Sequence, residues 1–389
     1  MIVFKSIFFI IFAIVQNKLP VEKPKIAIAS VLKPLQDARA FYRLGLSLRE
    51  TNKYHLNIIG FSLKNEPLEE DLSHFKLFDQ ERSAWKRFFV NIKFLGLLKK
   101  IKPKLLIVTT YELLPAALIM KFLLRYKLIY DLQENYILNV KQNKTLPKWK
   151  QNLAVFWIVL VENMSKPFVD HYIFAEDCYK REFPGIANFT VLENKFYGEI
   201  KSVSPTKFES NQAIEFLISG TLTPVYGVIE AMHWFAEILK VYPNFHLKIV
   251  GHYPIKFYGK EMRELASKVP QISLEISENP VDYKQILEAY ETCGIVLLPY
   301  YQLPSISPKI PSKMYECLAL GKPFIFSPNS EWKQIANQYQ SGLEFEFTDL
   351  KNAVSNLEDF LKLTFYCKAP KQEVRFDRAV FLRLIEGYF

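Results

Sequence analysis

Ser305 to Pro328 reads SISPKIPSKMYECLALGKPFIFSP, and the fold turns on this stretch. Its pattern predicts a loop, a short helix, a glycine stop and a buried strand. Ser312 stands where a helix cap is needed, Gly321 where the helix must end, and Lys322-Pro323 launches Phe324-Ile325-Phe326. Working outward, the same alternation repeats along most of the chain. Strands are predicted at Lys25–Leu32, His55–Phe61, Leu105–Thr110, Lys127–Leu132, His171–Ala175 and Thr190–Leu192, with helices such as Ala38–Glu50 and Leu113–Leu124 between them. A polar stretch, Tyr197 to Gln212, interrupts the series. Strands then resume at Glu215–Ser219, His246–Val250, Ile272–Ile276, Ile295–Pro299, Phe324–Ser327 and near Leu343–Phe347. Their helices are expected at Gly227–Val241, Lys256–Lys268, Tyr283–Glu291, Ser312–Leu320 and Ser330–Gln338.

Short, continuously apolar strands alternating with helices specify parallel sheets covered on both faces. The expected class is α/β, with two doubly wound, Rossmann-like domains facing across a cleft. The boundaries read as an apolar N-terminal segment (1–20), a first domain (21–196), a linker (197–213), a second domain (214–370) and an amphipathic tail (371–389) that can cross back to the first. Ligands of such sheets bind beyond the carboxyl ends of the strands.

Composition narrows the chemistry. The 389 residues, half of them hydrophobic, suffice for two full cores. With only 13 glycines and no GxGxxG or P-loop, the sequence argues against a glycine-rich phosphate loop. The four cysteines are far apart without a CxxC, three of them in core-like contexts, which implies a reducing compartment and no metal site. No Asp-x-Asp motif calls for a metal ion, and His233, His246 and His252 lack ligand spacing. The net charge of +10 favours an anionic partner. Nucleotide diphosphates and an anionic membrane fit, whereas no nucleic-acid recognition motif is present. Ile7 to Val15 is an apolar run too short for a bilayer, which needs about 20 residues. It reads as a shallow anchor, a signal-like segment or an extension. Trp85 to Lys104 carries seven basic residues and no acidic one, with Trp85, Phe88, Phe89, Ile92 and Leu95 on one helical face. That face either lies on an anionic bilayer or packs on the first sheet. Lys141, Lys144, Lys148 and Lys150 form a second basic cluster. The expected location is cytoplasmic, with room for peripheral contact at the inner membrane face.

Lys313 and Glu316 occupy the first turns of the Ser312 helix. A helix start attracts anions because its first amides lack partners, a cation there strengthens a phosphate site, and a carboxylate one turn on can accept from a sugar diol. The alternative is a capped surface helix with an incidental ion pair.

Several segments, in order, resemble the retaining glycosyltransferases of the GT-B fold, close to the large family 4 group (glycosyl transferases group 1). LQDARAFYRLGLSL (Leu35–Leu48) is similar to the family's first loop and helix, and YELLPAALIMKFLLRYKLIYDLQENY (Tyr111–Tyr136) to its acceptor-side segment. IEFLISGTLTPVYGVIEAMHWFAEI (Ile214–Ile238) and FHLKIVG (Phe245–Gly251) are similar to the opening of its second domain. PSKMYECLALGKP (Pro311–Pro323) is similar to its donor helix, with Glu316 as the second glutamate of E-x7-E. Where the family has the first glutamate this chain has Pro308; Thr221 and Tyr226 stand where basic residues grip the donor diphosphate, and Gln133 replaces a histidine.

The resemblance implies transfer of a sugar, with retention, from a nucleoside diphosphate sugar to a glycan or lipid-linked acceptor in cell-surface polysaccharide synthesis, without cofactor or metal. Lys313, Glu316, Glu134 and Gln133 become catalytic candidates. Gly220, Thr221, Ser312, Ser307 and His252 join Lys313 and Glu316 at the donor, with Ser305 beside them, and Asp37, Arg39 and Glu112 are acceptor-binding candidates. Ser305 and Ser307 read equally as turn residues, and Asp37 as a helix cap. A nucleotide-sugar 2-epimerase and a non-catalytic protein of the same fold are the alternatives.

Overall fold

The computed structural model describes residues 22–61, 72–78, 89–142, 146–200, 203–209 and 212–389. The apolar run at 7–15, Trp85, Phe88 and Lys144 lie outside them. The first sheet holds seven parallel strands: β1 (Lys25–Pro34), β2 (His55–Phe61), β3 (Leu72–Phe78), β4 (Leu105–Val108), β5 (Lys127–Leu132), β6 (His171–Phe174) and β7 (Phe189–Val191), in the order β3-β2-β1-β4-β5-β6-β7. A short strand, β8 (Thr206–Lys207), follows. The second sheet holds six parallel strands: β9 (Glu215–Thr221), β10 (His246–His252), β11 (Ile272–Ser277), β12 (Ile295–Leu298), β13 (Phe324–Phe326) and β14 (Gly342–Glu344), in the order β11-β10-β9-β12-β13-β14. Strand β15 (Thr364–Phe365) pairs antiparallel with β8 beside it.

Both sheets are doubly wound. The strand order reverses between β1 and β4 in the first and between β9 and β12 in the second. Every residue of β4 (LLIV) and β12 (IVLL) is buried, as strands covered on both faces must be. The α/β architecture with two Rossmann-like sheets therefore matches the sequence reading. The edge strand β3 and the helix Lys148–Ser165 were not anticipated by it.

Local signals act where the physics requires them. Asn329 caps the helix Ser330–Tyr339 by accepting from Glu331 N and Trp332 N at 3.0 and 3.1 Å. Gly321 ends the helix Ser312–Leu320 in the left-handed region at φ +65°, a conformation nearly free of cost only for glycine. Ser312, expected as that helix's cap, is instead its first residue. Pro311 takes the cap position and no side chain satisfies the first amides. Helix Ala38–Gly45 after β1 is wound as a π-helix rather than the expected α-helix.

The tail crosses back. Phe376, Phe381 and Ile385 are buried in the core beneath β1 and β2, with Ile26, Ile28 and Leu48. Phe196 N donates to Val374 O at 3.0 Å and Phe376 N to Phe196 O at 2.8 Å. The chain thus leaves and re-enters the first sheet's domain along two adjoining segments. Cys178, Cys293 and Cys317 are buried thiols and Cys367 is exposed.

Helix Val90–Ile101 packs on the first sheet through Val90, Phe94, Leu98 and Ile101. Of the face read from the sequence, Leu95 packs partly against this core, whereas Phe89 and Ile92 are exposed.

Candidate active site

On the second sheet, β9 and β10 end side by side, with Gly220 opposite Gly251 and Thr221 opposite His252. Gly220 has φ +100°, and a Cβ there would stand 2.5 Å from the Lys313 Nζ. The ammonium therefore lies directly over the glycine turn, at the open start of the Ser312 helix. Gly227, at φ +58°, approaches Pro299 so closely that a Cβ would fall 1.9 Å from its carbonyl oxygen. This contact seats the helix Val228–Leu239 at the reversal between β9 and β12. Gly220, Thr221, His252, Ser312 and Lys313 thus meet at one point, the switch point where open α/β sheets bind ligands. Uncapped amides and a cation give that point a positive potential.

Glu316 is one turn further in and only 4% exposed. It is not the solvated carboxylate of the alternative reading. Tyr283 Oη donates to its Oε1 at 3.0 Å. Burial, then the Glu316 charge, push the Tyr283 hydroxyl well above its usual range, so it stays a donor. Tyr283 also packs on Tyr42 of the first domain, with ring centroids 5.3 Å apart.

Several expected acceptor-side residues have other work. Arg39 is buried and its guanidinium binds Asp131 at the end of β5 through Nε (2.8 and 3.1 Å) and Nη2 (2.6 Å). Its Nη1 donates to Leu192 O at 2.8 Å and Asn194 Oδ1 at 2.9 Å. Arg39 is thus a tie between strand ends, with no nitrogen directed at an acceptor. Asp37 caps the π-helix by accepting from Arg39 N and Ala40 N at 2.9 and 2.8 Å. Gln133 donates to Asp131 Oδ2 at 2.8 Å and belongs to the same buried network. Glu112 stands half-buried in the turn after β4.

Ser307 is held by Asn329, whose Nδ2 donates to the Ser307 carbonyl at 3.0 Å. Ser305 donates to Gln142 Oε1 from across the cleft. Ser305 thus ties the two domains, and Ser307 secures the turn while lining a surface cavity with Arg181, Gln302 and Asn329.

Glu134 does face the cleft, 40% exposed, and meets Lys309 Nζ at 3.3 Å. Burial pushes this carboxyl up, and Lys309 with Lys33 more than offsets it, leaving it below the usual range. Three groups escaped the sequence reading. Lys309 lies within the opening stretch yet acts from the loop, 5.5 Å from the Tyr179 ring. Glu176 follows β6 and is buried; burial pushes its carboxyl up to about 8 against the pull of Lys309. Glu193 follows β7, pairs with Lys195 at 3.0 Å and accepts from Tyr315 Oη at 3.1 Å across the cleft. The available signal was a carboxylate just after an apolar strand, in FAED and VLEN. Among the described residues no group of His, Cys, Asp and Glu could hold a metal ion.

Residues 202–377 match the family described as Glycosyl transferases group 1. Solved structures with the same fold include a sucrose-phosphate synthase from Thermosynechococcus elongatus (TM-score 0.67, 14% identity, 94% of this chain and 98% of that one). Anabaena HepE in complex with UDP and glucose superposes with a TM-score of 0.60 at 16% identity, over 94% of this chain and 98% of that one. A trehalose-phosphate synthase from Burkholderia xenovorans, in complex with glucose-6-phosphate, gives 0.59 at 9% identity over 94% and 98%. No curated protein sequence matches. The chain has the two-domain GT-B fold, and its residues 202–377 match the glycosyl transferases group 1 model.

Proposed function

We propose that the protein transfers a hexose-like sugar, with retention, from a nucleoside diphosphate sugar to a glycan or lipid-linked acceptor in cell-surface polysaccharide synthesis. One observation carries this reading: the Lys313 ammonium over the Gly220 turn, at an uncapped helix start and a sheet switch point. Cleavage of the anomeric bond puts negative charge on the departing diphosphate. Fixed amides and a cation aimed there stabilise that charge as it forms. Lys313 and the Ser312 amides are assigned this role, with Thr221 and His252 flanking the diphosphate.

Glu316 is assigned the ribose hydroxyls, with Tyr283 fixing its orientation. On the facing sheet, Glu134 is assigned to orient the acceptor, opposed by Lys309. Glu176 keeps its proton at neutral pH and is assigned a hydrogen bond to the acceptor. In retaining transfer the leaving phosphate itself can take the acceptor's proton, so no histidine is needed at Gln133. The HepE complex with UDP-glucose makes a UDP-sugar the first donor to try.

A second reading, a non-catalytic GT-B protein, is favoured by Thr221 and Tyr226 at positions where the family carries basic residues; Tyr226 instead packs on Tyr300 at 4.8 Å. Calorimetry with UDP, GDP and ADP separates the two. Binding of at least one nucleotide, weakened more than about tenfold in Lys313→Ala, supports the donor site, since a charge-assisted hydrogen bond contributes about 1.5–3 kcal/mol. Binding of none, or binding indifferent to Lys313, refutes it. Conversion of a nucleotide sugar to its epimer, without an acceptor, would instead identify an epimerase.

A further inference from the structure

The outer surface of the first domain is inverted at one helix. Lys148–Ser165 turns only Ile158, Val161 and Ser165 inward. Its solvent face carries Trp149, Leu153, Phe156, Trp157, Leu160 and Met164, with Trp149 65% and Phe156 63% exposed. Their spacing of three and four residues is an apolar helical stripe pointing away from the core. The helix Leu114–Leu124 packs beside it and adds Ile119, Phe122 and Leu123, all exposed; Phe122 meets Phe168 edge-on at 5.3 Å. The helix Val90–Ile101 lies next, with Phe89 and Ile92 exposed. All three helices cover the same face of the first sheet. A contiguous exposed apolar surface of this extent marks an interaction site.

Charge selects the occupant. The three helices contain a single carboxylate, Glu162, whose Oε1 accepts from Tyr130 Oη at 3.3 Å on the inward side. Lys93, Lys99, Lys100, Lys148 and Lys150 are exposed around the apolar surface, and Lys150 lies 5.3 Å over the Trp149 ring. A second copy meeting this face about a two-fold axis would press lysine against lysine. An anionic bilayer meets both features: its headgroups take the cations, and its interface takes the tryptophans and aliphatics. Among the described residues no helix is long and apolar enough to cross a membrane, so the helices lie on the surface.

We propose that helices Val90–Ile101, Leu114–Leu124 and Lys148–Ser165 form a docking surface for an anionic lipid bilayer. The surface reaches the cleft. Helix Tyr136–Gln142 packs against Lys148–Ser165, and its Gln142 meets Ser305 of the second domain. Docking thus holds the cleft at the lipid interface, which, on the glycosyl-transfer reading, suits an acceptor carried on a lipid.

The test uses the full chain, without nucleotide, in flotation with vesicles of phosphatidylcholine alone or mixed with phosphatidylglycerol. Wild type floats with the anionic vesicles, and salt weakens the association. The triple variant Trp149→Ser/Phe156→Ser/Trp157→Ser lowers the partition coefficient at least about 100-fold. The variant Lys99→Gln/Lys148→Gln/Lys150→Gln lowers it about 100-fold, near fivefold per lysine, on anionic vesicles only. All six positions are exposed, so melting temperature and nucleoside diphosphate affinity stay at wild-type values in both variants. Absence of flotation, equal binding to both vesicle types, or wild-type flotation of both variants overturns the proposal. So does a dimer by light scattering that the triple variant dissolves while vesicle binding persists. Nucleotide calorimetry run without vesicles reports on the donor site separately, so either idea can fail alone.

Discussion

Removing the Arg39 side chain gives the sharpest test of the buried network, because two readings of this residue predict opposite outcomes. As an acceptor ligand, Arg39→Ala would weaken acceptor binding and leave the fold intact. As a tie between strand ends, it removes five hydrogen bonds, three of them to the Asp131 carboxylate. Asp131 is fully buried and would keep only the Gln133 amide, at 2.8 Å, among these partners. Breaking such a pair from one side costs about 3–5 kcal/mol, because the surviving charge stays buried without its counter-ion. Asp131→Ala should cost a similar amount. The double variant Arg39→Met/Asp131→Leu leaves no buried charge and should regain most of the loss, giving a coupling energy of about 2–4 kcal/mol in the cycle. Urea unfolding followed by tryptophan fluorescence measures this, read on the transition of the first domain. An Arg39→Ala protein within about 0.5 kcal/mol of wild type would refute the structural role and return Arg39 to the cleft.

Other expectations follow from single contacts. Glu176→Gln should remove a pH dependence. The folded carboxyl is raised to about 8 from 4.5, so the folded state holds a proton that the unfolded chain has released. Its contribution is present at low pH and lost as pH rises through that window; from pH 6 to 8 wild type should lose about 2–3 kcal/mol relative to the variant. Parallel melting curves of the two proteins across that range would count against it. Gly227→Ala should destabilise by more than about 2 kcal/mol, since φ +58° strains any side chain and the Cβ meets the Pro299 carbonyl; thermal unfolding decides. Tyr283→Phe should cost about 1–3 kcal/mol by orphaning buried Glu316. A saturating nucleoside diphosphate should then raise its melting temperature less than it raises that of wild type, because Glu316 has lost its orienting donor; equal increments would remove Glu316 from the ribose.

The fold was legible because its signal is local and repeated. Buried runs such as IVLL and LLIV, each closed by a polar turn, need only sequence adjacency to be recognised. β3 was missed because LSHFKLF sits at the sheet edge, where half-burial and three polar residues, Ser73, His74 and Lys76, blur the pattern. At the site, glycine and helix-start positions were legible for the same local reason, and Gly220, Thr221, His252 and Lys313 do converge. Side-chain roles were not, since a charged residue after a strand looks the same whether it points to solvent or to a partner more than 90 residues away, as Arg39 does.

Lys309 and Lys313 make the same point within one short segment. Both are lysines at the edge of the same loop and helix, four positions apart. Lys313 is held by its own domain, over Gly220. Lys309 reaches the other domain, to Glu134 and the Tyr179 ring. On the proposed reading, the first would therefore grip a donor in any arrangement of the two domains. The second can act only when they approach, together with Ser305 on Gln142, Tyr315 on Glu193 and Tyr283 on Tyr42. These links are few and mostly polar, and an ion pair with one partner 40% exposed contributes at most about 1 kcal/mol. A bound diphosphate beside Lys313 would outweigh any one of them. On the proposed donor reading, donor binding and domain closure would be coupled through this loop, and Lys309→Ala should loosen closure while leaving nucleoside diphosphate affinity within about fivefold of wild type, because less than about 1 kcal/mol of the binding depends on it.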